Sequence, residues 1–268
     1  MNNFRHLLKA AGSHPPIGTW ITSASPIVAE AVGHAGFDWG LVDMEHAPLD
    51  HMDLVHLLQA IGNTKMTPVV RVPANETVAV KRVLDAGAPT LMFPLVDSAE
   101  DARRAVAATR HAPHGVRSMA TLSRATRYGA AGSAPEVGVI VELETPQALA
   151  QLEDIAQVQG VDAIFVGPAD LSAQLGHAGQ PMHPEVMRLM GDAAQRCRRL
   201  GIPVGTVGAS PDVVTQFRAM GFNFIAVASD LGLLMRGAQA VVQSLRTPDG
   251  ELHVHSLSSG TRTEATTA

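Results

Sequence analysis

Eight short apolar runs recur along the chain with helix-like segments between them, and this alternation constrains the fold more than any other feature. The runs are IGTWI (17–21), WGLVDM (39–44), TPVVRVP (67–73), TLMFPLV (90–96), VGVIVELE (137–144), AIFVGP (163–168), IPVGTV (202–207) and FIAVAS (224–229). Near-continuous Val, Ile and Leu in such runs marks strands buried on both faces, as in a parallel sheet covered by helices. Between them, residues 51–61, 98–110 and 184–200 carry apolar side chains at helical spacing. Helix starts are signalled by Ser25-Pro26, Thr145-Pro146 and Ser210-Pro211, where a hydroxyl N-cap precedes a proline that needs no donor partner. Ser98 with Asp101 adds a start resembling a capping box. Eight strand–helix units at this length predict an α/β fold of the (β/α)8 TIM-barrel type. The competing open doubly wound sheet lacks support, because neither GxGxxG nor GxxxxGK[ST] follows any strand.

The chain has 268 residues, 46% of them hydrophobic, enough for one large aliphatic core. Residues 1–246 are assigned to a single barrel domain. Residues 111–136, rich in Gly and Pro, form an excursion over one end of the barrel, and the Ser/Thr-rich segment 247–268 is expected to be a disordered tail. A net charge of −5, with the Lys and Arg residues scattered, predicts neither a nucleic-acid footprint nor a basic membrane surface. Cys197 is the single cysteine, which excludes an intramolecular disulfide and a thiolate-rich metal site and suits a reducing cytoplasm. The first residues contain no apolar export signal, and no run of 18 apolar residues occurs, so a cytoplasmic protein without a membrane span is expected.

Barrel enzymes carry their catalytic groups where strands end, which directs attention to a short set of polar residues. Strand two ends in Asp43-Met44-Glu45-His46, strand three contains Arg71, strand five ends at Glu144, and strand six runs into Gly167-Pro168-Ala169-Asp170. Trp20, Asp97, Thr206 and Ser229-Asp230 occupy the other ends. Glu144 and Asp170 terminate consecutive strands, so their charges converge and invite a cation held by oxygen ligands, with Mg²⁺ or Mn²⁺ suited to such a set. The competing reading makes each an N-cap or first-turn acid favoured by the helix dipole. His46 has Asp43 three residues earlier, and a bend after Met44 would let the carboxylate orient the imidazole as a general base. Arg71 within an apolar strand requires an anion, either bound substrate or a buried partner such as Asp43 or Glu45.

None of Lys9, Lys65 and Lys81 falls at a strand end, so Schiff-base and pyridoxal phosphate chemistry lack a nucleophile. Ser123, Ser172 and Cys197 have no nucleophile setting. Gly205-Thr206-Val207-Gly208 offers a weak signal for an anion cradle before the helix capped by Ser210.

At these residues the chain resembles the HpcH/HpaI aldolase family of metal-dependent class II pyruvate aldolases, which includes 4-hydroxy-2-oxoheptanedioate and 2-keto-3-deoxy sugar acid aldolases. The matching segments are AGFDWGLVDMEHAP (35–48), PVVRVP (68–73), VKRVLDAG (80–87), VELETPQAL (141–149), GVDAIFVGPADLSAQLGHAG (160–179) and FIAVASD (224–230). The resemblance implies that Glu144 and Asp170 hold a divalent cation (Mg²⁺, Mn²⁺ or Co²⁺), that Arg71 faces the pyruvate oxygens, and that His46 with Asp43 handles protons. It further implies that Gly167, Pro168 and Ala169, with Trp20, line the substrate position, and that Asp85 approaches a neighbouring subunit's site. A homo-hexamer built as a trimer of dimers, with an exchanged C-terminal helix, belongs to the same expectation. The chain departs from the family at Glu142, where Gln is common, at Ser118 and in a short 128–137 loop. The expected reaction makes or cleaves 4-hydroxy-2-oxo acids to pyruvate and an aldehyde. Oxaloacetate decarboxylation, cleavage of a CoA ester phosphate-anchored by Arg117, Arg124 and Arg127, and a non-catalytic barrel that binds an organic acid are the alternatives.

Overall fold

The structure, a computed structural model, describes residues 2–11, 14–131 and 136–246. Segment 247–268, expected to be a disordered tail, lies outside the described residues, as do residues 132–135 of the excursion. Eight parallel strands close in sequence order: β1 (Ile17–Ile21), β2 (Trp39–Asp43), β3 (Thr67–Arg71), β4 (Thr90–Phe93), β5 (Gly138–Leu143), β6 (Ala163–Val166), β7 (Val204–Gly208) and β8 (Phe224–Ser229). All eight apolar runs form strands, so the TIM barrel expected from the sequence is the fold. The helices are α1 (Asn3–Ala10), α2 (Pro26–His34), α3 (His51–Ile61), α4 (Thr77–Asp85), α5 (Ala99–Thr109), α6 (Pro146–Ala150), α7 (Leu152–Ala156), α8 (Pro168–Gln174), α9 (Pro184–Leu200), α10 (Pro211–Met220) and α11 (Asp230–Arg246). The chain divides into two units, Met1–Gly232 and Leu233–Ala268.

The hydroxyl–proline signals act as read. Ser25, Thr145 and Ser210 each accept a hydrogen bond from the third residue of the helix they cap, and Ser98 does so for α5. Strand edges shift where the backbone cannot continue the ladder. β4 stops at Phe93 because Pro94 removes a donor and Leu95 is left-handed, with φ 51°. β7 begins at Val204, after Pro203.

Period-two alternation sends one side chain in two into the barrel, and these stack into layers. The lower layer is apolar: Trp39, Leu41, Val69, Met92, Ile140, Phe165 and Phe224 pack together with Phe4 of α1, which closes the N-terminal end. Phe4 meets Trp39 and Phe224 edge to face, with ring centroids 6.1 and 5.4 Å apart. The same alternation carries Asp43, Arg71 and Glu142 inward one or two steps further along their strands. Register places Asp43 directly beside Arg71.

The excursion lies at the N-terminal end. Arg117 pairs with Asp85, the last residue of α4, at 3.1 Å, and Arg124 Nη1 donates to the Ala86 carbonyl. The basic rim sought for a CoA ester is therefore at the opposite end of this chain's barrel from Glu144. Gly205 likewise corrects the anion-cradle reading: a Cβ there would fall 2.2 Å from the Phe224 ring, so its absence makes room for the core. The Thr206 hydroxyl is engaged too, donating to the Val166 carbonyl at 2.9 Å.

Candidate active site

Arg71 is the hub of the C-terminal mouth. Its Nε and Nη2 donate to the two Asp43 oxygens at 2.9 and 2.8 Å, a bidentate pair. Nη1 lies 3.0 Å from Glu45 Oε2 and 3.4 Å from Glu142 Oε2. The guanidinium also sits over the Trp20 ring, 5.7 Å from its centroid, and Trp20 in turn packs on Phe165, so an aromatic floor separates the charged layer from the core. Burial works against the arginine's charge, but the carboxylates around it outweigh that and raise its pKa.

The buried-partner reading of Arg71 is thus realised, with Asp43 as the partner. This corrects the expected Asp43–His46 dyad. The chain bends after Met44 as required, yet Asp43 Oδ1 accepts from the backbone N–H groups of Glu45 and His46, at 3.0 and 3.4 Å, and no imidazole nitrogen bonds it. Burial pushes the Asp43 carboxyl up, and the Arg71 hydrogen bonds bring it below its ordinary value. His46 instead projects outward with 64% of its side chain exposed, its Nε2 3.9 Å from Glu45 Oε2.

Glu144 does not cap α6; Thr145 does. The Glu144 carboxylate turns inward, where Oε2 accepts from Leu95 N at 3.1 Å. Leu95 presents that N–H through its left-handed backbone, a strained conformation of the kind found at functional sites. Asp97, which follows in the same loop, accepts the Thr145 hydroxyl proton at 2.5 Å. Gly167 is buried against the acids, and a Cβ there would lie 3.0 Å from Glu144 Oε1 and 3.4 Å from Glu142 Oε1, so glycine permits the approach. Pro168 is buried, whereas Ala169 and Asp170, in the first turn of α8, are exposed.

Electrostatically the mouth is overloaded. Asp43, Glu45, Glu142 and Glu144 surround a single guanidinium, and Asp170 adds its charge near Glu45 and Glu144. Burial pushes the Glu144 carboxyl up; despite the Leu95 hydrogen bond, the nearby Asp170 and Glu45 charges help hold it at about 7. Glu142, fully enclosed and next to Glu144, is raised well above the ordinary carboxylate value, and burial raises Glu45 against the pull of Arg71. Glu45 Oε2 is buried without a hydrogen bond. An all-oxygen set with surplus negative charge fits a hard divalent cation.

The sequence profile of the HpcH/HpaI aldolase/citrate lyase family matches residues 16–237. The chain belongs to that family. It is thereby a carbon–carbon lyase. The 2-dehydro-3,6-dideoxy-6-sulfogluconate aldolase of Pseudomonas putida is 47% identical over 236 residues, covering 86% of this chain and 92% of that one. The 4-hydroxy-2-oxo-heptane-1,7-dioate aldolase of Klebsiella pneumoniae is 43% identical, with 90% and 93% covered. A crystal structure of an HpcH/HpaI aldolase/citrate lyase family protein from Burkholderia cenocepacia J2315 superposes with a TM-score of 0.87 at 39% identity, covering 92% of this chain and all of that one.

The mouth therefore gathers Trp20, Asp43, Glu45, His46, Arg71, Glu142, Glu144, Gly167, Pro168 and Asp170. Asp85 stands apart, at the far end of α4 and close to the N-terminal ends of the strands. Two contributors escaped sequence reasoning as site residues. Glu45 reads from the sequence as a partner of Arg71, and in the structure it also lies 3.9 Å from His46 Nε2. Leu95 acts through its backbone, and nothing in a leucine announces that.

Proposed function

We propose that this lyase is a class II aldolase that makes or cleaves 4-hydroxy-2-oxo acids, exchanging pyruvate and an aldehyde, with Glu144 and Asp170 as the ligands of a divalent cation such as Mg²⁺, Mn²⁺ or Co²⁺. The observation that carries this reading is the surplus of buried carboxylate at Glu45, Glu142 and Glu144 around one arginine. A divalent cation held there would supply Lewis acidity toward the keto group of a 2-oxo acid, making its C3 position acidic.

The chain's own groups do the rest. Arg71, locked by Asp43, keeps Nη1 turned toward the Glu45 and Glu142 side of the mouth, where a substrate oxygen that gains negative charge can meet it. Trp20 and Phe165 keep the floor beneath it free of water. The first turn of α8, after Gly167, directs its N–H groups toward a substrate carboxylate. His46 at the rim, 3.9 Å from Glu45, accepts the hydroxyl proton of the aldol in the cleavage direction and returns it in synthesis. Arg117, Arg124 and Arg127 lie at the opposite end of this chain's barrel, beside Asp85, so they could anchor a CoA ester only at another subunit's mouth.

Asp85, remote from its own chain's mouth, would serve only at another subunit's site, which supports a homo-oligomer as the working assembly. A buried lone cysteine, whose thiol burial pushes up to about 12, suits the cytoplasm. Among the described residues no helix is long and apolar enough to cross a membrane. The direct test is pyruvate release from a 4-hydroxy-2-oxo acid: it should require an added divalent cation and stop with chelator. Release that persists after chelation and dialysis would overturn the reading.

A further inference from the structure

A second group of ligand-capable side chains lies in the connection between α8 and α9, away from the carboxylates of the mouth. Its backbone is a chain of turns. His177 N donates to the Ser172 carbonyl at 2.7 Å, Gln180 N to His177 O at 2.9 Å, and His183 N to Gln180 O at 2.9 Å. Gly176 and Gly179, with φ of 80° and 77°, supply the left-handed residues these turns need. The result folds two histidines, six positions apart, onto each other, with ring centroids 3.5 Å apart and planes within 20°. His177 Nε2 lies 3.0 Å from Glu185 Oε2. His183 Nδ1 accepts from Glu185 N at 3.3 Å, which leaves its Nε2 free of that cap. One ligand atom from each of the three residues falls within 4.8 Å of the other two.

We propose that His177, His183 and Glu185 form a binding site for a borderline divalent transition-metal ion, Zn²⁺ foremost, distinct from the cation site at the barrel mouth. Two nitrogens and one carboxylate are the donor set such ions prefer, whereas Mg²⁺ favours oxygen alone. With Zn–N and Zn–O distances of about 2.0–2.2 Å, tetrahedral donors stand about 3.3–3.6 Å apart, so binding draws the three atoms together and opens the ring stack until both in-plane lone pairs converge on the ion. The ion takes the place of the proton shared between His177 and Glu185. It would pin the turn that follows α8, the helix whose first turn carries Asp170, onto the start of α9.

The test is calorimetric titration of Zn²⁺ into the full-length, tag-free protein in excess Mg²⁺, which keeps the mouth occupied. The wild type should bind Zn²⁺ at this site and melt at higher temperature in its presence. His177→Phe, which keeps a flat ring without a lone pair, and Glu185→Gln should each weaken that binding by more than the roughly 10- to 100-fold typical of losing a mere outer partner, and should abolish the zinc-dependent rise in melting temperature. Their circular dichroism and Mg²⁺-supported aldolase activity should be unchanged. Bound Cu²⁺ should show nitrogen hyperfine structure in the wild type that His177→Phe reduces. Zinc affinity identical in wild type, His177→Phe and Glu185→Gln would overturn the proposal, as would no zinc binding by the wild type.

Discussion

The two ends of the barrel interior obey opposite rules. At the N-terminal end Phe4, Trp39, Phe165 and Phe224 interlock edge to face or tilted, with no charge among them. At the C-terminal end, a residue or two further along strands β2, β3 and β5, Asp43, Glu45, Glu142 and Glu144 crowd one arginine, and three of them are held above their ordinary pKa. Among the described non-glycine residues with positive φ, Ala24, Leu95 and Ala228 sit at or just past strand ends at the mouth, and Arg127 and Tyr128 lie in the excursion. One end of the barrel supplies the stability; the other uses some of it to hold charges that would relax apart in water.

The sharpest way to break that comparison is to delete acids from the mouth. Glu144→Ala or Asp170→Ala should abolish aldol cleavage while the protein remains folded, because on the proposed reading both residues hold the cation and neither belongs to the apolar core. Near-normal turnover, measured after chelation and dialysis with metal re-added, would remove the residue from the ligand set. The mirror experiment is Phe224→Ala, which should cost about 3–5 kcal/mol in denaturant unfolding, the usual loss for a buried phenylalanine. A loss below about 1 kcal/mol would show that the aromatic layer is not what carries the fold.

Within the mouth, the rim and the hub should separate. His46→Ala should lower turnover about 10²- to 10⁴-fold with little change in pyruvate binding, the range for a lost general base. Asp43→Asn should follow Arg71→Ala, impairing binding and turnover together, because Asp43 anchors the guanidinium. Turnover and KM for the three variants decide this, and an Asp43→Asn that instead copies His46→Ala would restore the dyad.

A smaller effect concerns pH and the metal-free protein. The folded Glu144 titrates near 7 against an ordinary 4.5, so between those values the folded chain holds a proton that the unfolded chain has released. Its contribution to stability is full below the unfolded pKa and is lost as pH rises to about 7. Unfolding free energy should therefore fall across that window, by on the order of 2 kcal/mol, and saturating Mg²⁺ should abolish the fall. Stability that rises over the same range without metal would mean that Glu144 is already compensated.

The barrel was legible because its signals are local: an apolar run, a hydroxyl, a proline. Ser25, Thr145 and Ser210 need no distant partner to declare a helix start. Most of the polar groups gathered at the mouth stand at strand ends that the sequence marks, whereas their pairings are harder to read. Arg71 meets Asp43 through strand register across 28 positions, and the nearer His46 offered a more tempting partner. Leu95 reaches Glu144 through a backbone torsion that its side chain gives no hint of. The burial of Phe4 in the barrel floor is likewise a matter of topology, since a short amphipathic start reads equally well as a loose terminus.

All of this converges on whether the overloaded mouth activates a 2-oxo acid through a bound cation. Proton NMR of pyruvate in D₂O tests that step without any aldehyde. The methyl signal should be lost to deuterium only when wild-type protein and Mg²⁺ or Mn²⁺ are both present, and Glu144→Ala should leave it intact. Exchange indifferent to chelator, or no exchange with either metal, would contradict a cation-assisted aldolase at Glu144 and Asp170.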